Sequence, residues 1–228
     1  DRIGHEAEVD PQVFDLSARP CRQLRRKARQ AEKAGIEVIP HAPGEAPLET
    51  FAKIDAEWRC GKGGRESGFS MGRFDLTYLK RFTIFEARRD NAPAAFLSVW
   101  VSGDGKEWSI DLMRASADAP MGATQLMIVT AIAAAKEAGA DRFNLCMAPL
   151  SGLEDAEKPG ERLLAEIYER ADNWHGLKGL RRFKESFDPV WRPRYLARPH
   201  GISAAIAPLA VRGLVAASSS TPVRPSAR

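Results

Sequence analysis

Three extended runs follow one another at 82–88, 94–101 and 107–113, and the last two are joined by the tetrapeptide Ser102-Gly-Asp-Gly105. Glycine and aspartate at such a junction tolerate the backbone angles of a tight hairpin, so the runs read as an antiparallel meander. Pro120 and Gly122 then open a long apolar stretch that reaches Ala138 and stops at Gly139. Proline at the start and glycine just past the end mark a helix. An extended run resumes at 142–147. Meander, helix and strand in this order require at least one crossover connection and place the chain in the α+β class.

The flanks supply further elements. Residues 21–34 hold good helix formers without proline or glycine and stop at Gly35, which gives a basic helix. A short strand fits 36–40, and Leu48, Phe51, Ala52, Ile54 and Trp58 recur at helical spacing over 48–59. The segment 161–170 puts Leu163, Leu164, Ile167 and Tyr168 on one helix face, and a short helix at 179–187 precedes an extended 194–197. The glycine-rich loop 60–72 carries Lys62, Arg65 and Ser70, with Arg73 just beyond it; it is either a ligand wrap or simply pliant chain.

At 228 residues, 44% hydrophobic and 28% charged, the chain is long enough for one substantial core, and a single domain over 1–200 is expected. Residues 201–217 form an apolar helix that either caps the core or lies at a membrane surface, and the Ser/Pro/Arg-rich 218–228 is expected to be a disordered tail. No run of about 18 uncharged apolar residues occurs, so the chain itself is expected to be soluble and intracellular. Cys21, Cys60 and Cys146 are odd in number and lack a C-x-x-C pairing, which argues against a disulfide framework or a zinc site and leaves them as bystanders; no metal is expected.

The net charge is only +4, but it is patchy. Arg19, Arg22, Arg25, Arg26, Lys27, Arg29 and Lys33 crowd one segment, and Arg181, Arg182, Lys184, Arg192, Arg194 and Arg198 crowd another. Each is either a solvated face or an attractor of phosphate in nucleic acid or lipid.

Three segments carry polar residues where a fold does not place them cheaply. In Trp108-Ser-Ile-Asp-Leu-Met-Arg114 an acid and a base interrupt a strand, and burying either unpaired costs several kcal/mol. Strand side chains alternate, so Asp111 and Arg114 share a face only across a β-bulge or if Arg114 lies beyond the strand end. The plain alternative is a structural ion pair on a sheet edge. The second segment, 144–152, is a strand running into a small-residue loop, the position where open α/β sheets bind ligands. The third, 179–195, interleaves cations with aromatics; Arg181 and Lys184 share a helix face, and Trp191 and Tyr195 can stack.

Taken together and in order, Ser70-Met-Gly-Arg-Phe-Asp75, Asp111-Leu-Met-Arg114, Phe143-Asn-Leu-Cys-Met-Ala-Pro-Leu-Ser-Gly152, Gly179-Leu-Arg-Arg-Phe-Lys184 and Trp191-Arg-Pro-Arg-Tyr195 closely resemble the C-terminal domain of the multiple peptide resistance factor family. Gly4-His-Glu-Ala-Glu-Val-Asp10 and Leu24-Arg-Arg-Lys-Ala-Arg29 are similar to it as well, and the likeness covers roughly residues 4–200. The resemblance implies a Gcn5-related acyltransferase (GNAT) fold, a mixed and mostly antiparallel sheet flanked by helices. It implies a catalytic part normally fused after an N-terminal transmembrane flippase region, at the cytoplasmic face of the bacterial inner membrane. The implied reaction moves lysine, with alanine as the alternative, from aminoacyl-tRNA to the glycerol hydroxyl of phosphatidylglycerol. That lowers the negative charge of the membrane and protects against cationic antimicrobial peptides. No cofactor is expected, since 115–122 lacks the repeated glycines that hold coenzyme A pyrophosphate in ordinary acetyltransferases.

The same resemblance assigns roles. Asp111 is the base or positioning group at the lipid hydroxyl, Arg114 holds Asp111 or the lipid phosphate, and Lys184 stabilises the oxyanion or the terminal tRNA phosphate, with Arg182 nearby. Ser151 lies in a substrate-binding loop, Arg73 contacts lipid or tRNA, and Glu161 or Glu166, both off the apolar stripe of the helical wheel, receives the amino-acid ammonium. The basic helix at 22–33 would meet the tRNA acceptor stem or an anionic membrane. Two other readings stay open: an aminoacyl-tRNA-dependent transferase acting on a peptidoglycan precursor or a protein, and a non-catalytic tRNA- or membrane-binding module.

Overall fold

The computed structural model describes residues 1–61, 72–170 and 177–197; the expectations for most of the loop 60–72 and for 201–217 and 218–228 fall outside the described residues. The meander is Thr83–Arg89 (β3), Ala92–Val101 (β4) and Glu107–Ala115 (β5), antiparallel throughout. Asp90 and Asn91 turn β3 into β4 with φ of 52° and 62°, a two-residue hairpin whose left-handed angles aspartate and asparagine tolerate. The helix Ala123–Glu137 (α4) then crosses over to Arg142–Pro149 (β6), which runs parallel to β5.

Three more strands complete the sheet. Arg2–Val9 (β1) lies between β6 and Val190–Tyr195 (β7), antiparallel to both, and Glu37–His41 (β2) borders β3. Among the described residues this makes one seven-stranded sheet in the order β2-β3-β4-β5-β6-β1-β7. β1 is not evident from sequence because Glu6 and Glu8 interrupt it. Both are neutralised across the sheet: Arg194 pairs with Glu6, and Arg192 and Arg142 approach Glu8 at 3.5 and 3.7 Å.

Alternation along the meander gives the sheet two apolar faces. Phe85, Leu97 and Val99 join a core with Leu24, Ala28 and Ala31 of Arg22–Lys33 (α1) and Met127, Ile128 and Ile132 of α4. Ile84, Phe96 and Leu112 face the opposite way, onto Leu48, Phe51 and Ile54 of Leu48–Gly61 (α2) and Leu79 of Leu76–Leu79 (α3). α4 is apolar nearly all round because it sits between the sheet and α1. Pro159–Arg170 (α5) lies beside β1, and Leu177–Glu185 (α6) lies beside β6. Among the described residues no helix is long and apolar enough to cross a membrane.

Two departures from regularity shape the middle of the sheet. Val99 pairs with Ile110 and Leu97 with Met113, so Asp111 and Leu112 together oppose Ser98 in a β-bulge. The parallel pairing of β5 with β6 covers only Glu107–Ser109 against Arg142–Asn144, and beyond it the strands part into a notch. Phe96, fully buried and stacked on Phe51 at 5.0 Å, backs the bulged region. Phe96→Ala is expected to cost about 3–5 kcal/mol of stability in denaturant titrations.

Candidate active site

The bulge brings Asp111 to the side covered by α3, where Leu112 and Arg114 also point. α3 is set by Asp75, whose Oδ1 accepts the Tyr78 N–H at 2.8 Å as a helix cap. That cap aims Tyr78 at Asp111. Ser98, wholly buried, accepts the Leu112 N–H at 2.9 Å and stabilises the bulge from across the strand pair. Burial pushes the Asp111 carboxyl above the usual carboxylate range, against the opposing pull of the Tyr78 hydroxyl, the Gly72 N–H, Arg114 and Ser98. Oδ2 is buried and has no hydrogen bond of ordinary geometry among the described residues. The Tyr78 phenol is in turn pushed up to about 12, by burial first and then by the Asp111 charge. Gly72 runs so close that a Cβ there would overlap the Asp111 carboxylate, which explains the glycine next to Arg73.

Arg114 is 7% exposed and lies on a central strand, so the sheet-edge ion pair does not describe it. Its Nε donates to Asp55 Oδ1 at 3.3 Å, and its guanidinium lies 3.6 Å over the Trp58 ring. Asp55, 1% exposed, also accepts from Arg59 Nε at 2.7 Å.

On the other side of the notch stands Lys184 of α6. It is 5% exposed, and its Nζ donates to the Met147 carbonyl at 2.8 Å. Burial lowers this ammonium to about 8. Between Lys184 and Asp111 sits Cys146, whose thiol feels both charges and is itself pushed up by burial. Its Sγ donates to the Ile110 carbonyl at 2.9 Å and ties the two strands where they part. Asn144 Oδ1 accepts the Cys146 N–H at 2.7 Å and holds that residue at φ 66°. Cys146, expected to be a bystander, is therefore the wall between the two ionisable groups.

The remaining expected residues separate. Ser151 is buried, donating to the Ala148 carbonyl at 2.8 Å and accepting from Arg181 at 3.2 Å, while Arg181 stacks on Trp191 at 3.7 Å. Gly152 is required because a side chain there would overlap the His5 imidazole. Glu161, expected off the buried face, is only 6% exposed: Oε1 accepts the Arg2 N–H at 2.8 Å and fastens α5 to β1. Glu166 instead lines a pocket of about 340 Å³ with Glu154, Glu169, Tyr168, Leu150 and Leu153. Arg73 and Arg182 are exposed. The second basic cluster is largely committed within the protein, with Arg181 on Ser151 and Arg192 and Arg194 on the β1 glutamates.

Asp55 and Tyr78 were not singled out from the sequence, and Cys146 was given no part in the site. For Asp55 a signal existed: it sits four residues after Phe51 and three before Trp58, a carboxylate on the apolar stripe of α2.

A mixed, mostly antiparallel sheet that opens between its two parallel strands and is flanked by helices is the architecture of an acyltransferase fold of the GNAT type. The chain matches, over residues 1–198, the family described as phosphatidylglycerol lysyltransferase, C-terminal, and belongs to it. It is 34% identical over 201 residues to phosphatidylglycerol lysyltransferase of Bacillus subtilis (86% of this chain, 23% of the relative) and 26% identical over 200 residues to that of Staphylococcus aureus (86% and 24%). The chain thus spans about a quarter of the length of these curated relatives. The structure of L-PGS from Bacillus licheniformis superposes with a TM-score of 0.79 at 32% identity, covering 94% of this chain and 66% of that one. A C-terminal domain (DUF2156) from Agrobacterium fabrum, described as part of a lysylphosphatidylglycerol synthetase, gives 0.80 at 30% identity, covering 97% and 67%.

The lowered Lys184 value has a measurable sign. Between about 8 and the ordinary 10.5 the unfolded chain holds a proton that the folded chain does not, so stability from this group rises with pH across that window. Lys184→Met should lose that rise, and at pH 7 it should melt no lower than the parent. Thermal unfolding at pH 7, 9 and 10.5 tests this.

Proposed function

We propose that this chain is the catalytic domain of an aminoacyl-tRNA:phosphatidylglycerol transferase, moving lysine in preference to alanine onto the glycerol hydroxyl of the lipid. The observation that carries the reading is that a buried carboxyl, Asp111, and a buried ammonium, Lys184, both act on the Cys146 thiol where β5 and β6 part.

The donor ester is already activated, so the protein has to align an alcohol with it and move one proton. Asp111 accepts the proton of the lipid hydroxyl as its oxygen attacks the aminoacyl carbonyl, and the resulting oxyanion is stabilised by Lys184. Collapse breaks the bond to the ribose oxygen, which takes the proton back from Asp111. The new ester bond is to the lipid, and no external oxidant or cofactor enters the balance. Tyr78 orients the carboxyl from α3. Glu166, which lines one pocket with Glu154 and Glu169, receives the ammonium of the transferred amino acid. Arg73 and Arg182 lie exposed for phosphates of lipid or tRNA.

α1 supports the nucleic-acid part of the reading. Its apolar residues are buried, and its outer face presents Arg22, Arg26, Arg29 and Lys33, none of which makes an ion pair among the described residues. Such a stripe binds phosphates with a strong dependence on salt. In the whole protein this domain would work at the cytoplasmic face of the inner membrane, fused to a transmembrane flippase region, and its product would weaken the attraction of cationic peptides.

Incubating the chain with phosphatidylglycerol vesicles and tRNA charged with radiolabelled lysine should put label in the lipid extract; absence of label, with tRNA still bound, would favour the binding-module reading. Asp111→Asn should reduce turnover by roughly 10²–10⁴-fold while leaving tRNA affinity unchanged. Arg26→Glu with Arg29→Glu should weaken tRNA binding and flatten the log–log salt slope by about two.

A further inference from the structure

Asp55, Trp58 and Arg59 occupy one face of α2, at i, i+3 and i+4, and all three converge on a single partner network around Arg114. The arrangement is unusual for a core. A carboxylate 1% exposed is shared between two guanidinium groups, Arg59 at 2.7 Å and Arg114 at 3.3 Å, while an indole closes over the second at 3.6 Å. Packing alone gives no reason for this. The apolar residues of α2, namely Leu48, Phe51 and Ile54, already anchor the helix by packing under the sheet. Burying charges in addition costs free energy that hydrophobic residues of equal volume would not.

We propose that Asp55 is a positioning residue: with Trp58 it forms a clamp that fixes the Arg114 guanidinium beside Asp111 and makes α2 part of the catalytic apparatus. Three points support it. Arg114 lies on the same bulged strand and face as Asp111, and its charge acts on that carboxyl. Its Nε and one face of its guanidinium are already taken by α2, so it is oriented before any substrate arrives. Asp55 also shares its negative charge with Arg114, which tempers the pull of that guanidinium on Asp111 and leaves burial as the dominant influence there. Arg114 therefore serves Asp111 and is not a grip for the lipid phosphate. Among the described residues, the other groups that act on or face Asp111 are Tyr78 from α3, Ser98 from β4, the Gly72 backbone and Cys146 from β6.

The proposal rests on the transfer reading only for its kinetic part, so two separate measurements are used. In the intact chain, the Asp111 carboxyl is followed by 13C NMR through a pH titration, in the parent and in Asp55→Asn. Removing the shared negative charge should turn Arg114 toward Asp111 and move the Asp111 titration to lower pH, and exchange of the Arg114 Nε–H should quicken roughly tenfold or more as its acceptor is lost. An unmoved Asp111 titration in a folded Asp55→Asn chain overturns the proposal, whatever reaction the protein catalyses.

Asp55→Glu keeps the charge and displaces it by one methylene, so it serves if the first variant does not fold. Here the Arg114 Nε–H should again exchange faster, and in the transfer assay kcat should fall roughly tenfold or more with the KM for phosphatidylglycerol unchanged. A raised KM at constant kcat would instead make Arg114 a phosphate ligand, and parent-like exchange and kinetics would make Asp55 a purely structural group; either result sinks the clamp. If the parent transfers no amino acid at all, the transfer reading fails while the exchange and titration experiments still decide the clamp.

Discussion

The bulge in β5 is the constraint on which the rest of the site depends. A regular strand would send Asp111 and Arg114 to opposite faces, one into the core under α4 and the other under α2. With Asp111 and Leu112 together opposing Ser98, both charged residues come to the side of α2 and α3. Every later feature uses that placement: the Asp75 cap that presents Tyr78, the bare Gly72 backbone against the carboxylate, and the α2 residues around Arg114. A bulge also increases local twist, which suits a strand that must leave its parallel neighbour after a short ladder.

The two sides of the notch reach similar chemistry by different means. Asp111 is raised because it is taken out of water while several polar groups restrain the rise; Lys184 is lowered because it is taken out of water, where its ammonium donates to the Met147 carbonyl. In both cases burial disfavours the charged form, so each charge is held less readily in the folded chain than in the unfolded one.

Much of this was legible in the amino-acid sequence, and the failures have physical causes. The meander, α4 and β6 follow from turn residues and apolar runs, and the three-residue separation of Asp111 from Arg114 already demanded a bulge or a strand end. β1 was hidden because its glutamates find their arginines on β7 and β6, far along the chain, where no local pattern shows them. The same pairing made the C-terminal basic cluster look freer than it is. Glu161 seemed exposed on a helical wheel, which knows nothing of the β1 backbone that covers it. Cys146 looked inert by spacing alone; only the parting of two strands gives its thiol a place.

The position of β1 has a kinetic consequence. It forms early in the sequence, yet both of its neighbours, β6 and β7, come after residue 141, so no partner exists until most of the domain has been made. Contacts of such sequence separation close slowly. A waiting strand of ordinary apolar composition would be an open edge for other chains to join, whereas one carrying Arg2, His5, Glu6 and Glu8 stays hydrated until its arginines arrive. The charges that hid β1 from a sequence reading are thus its protection during synthesis, and the last strand to dock brings the ions that release it from water.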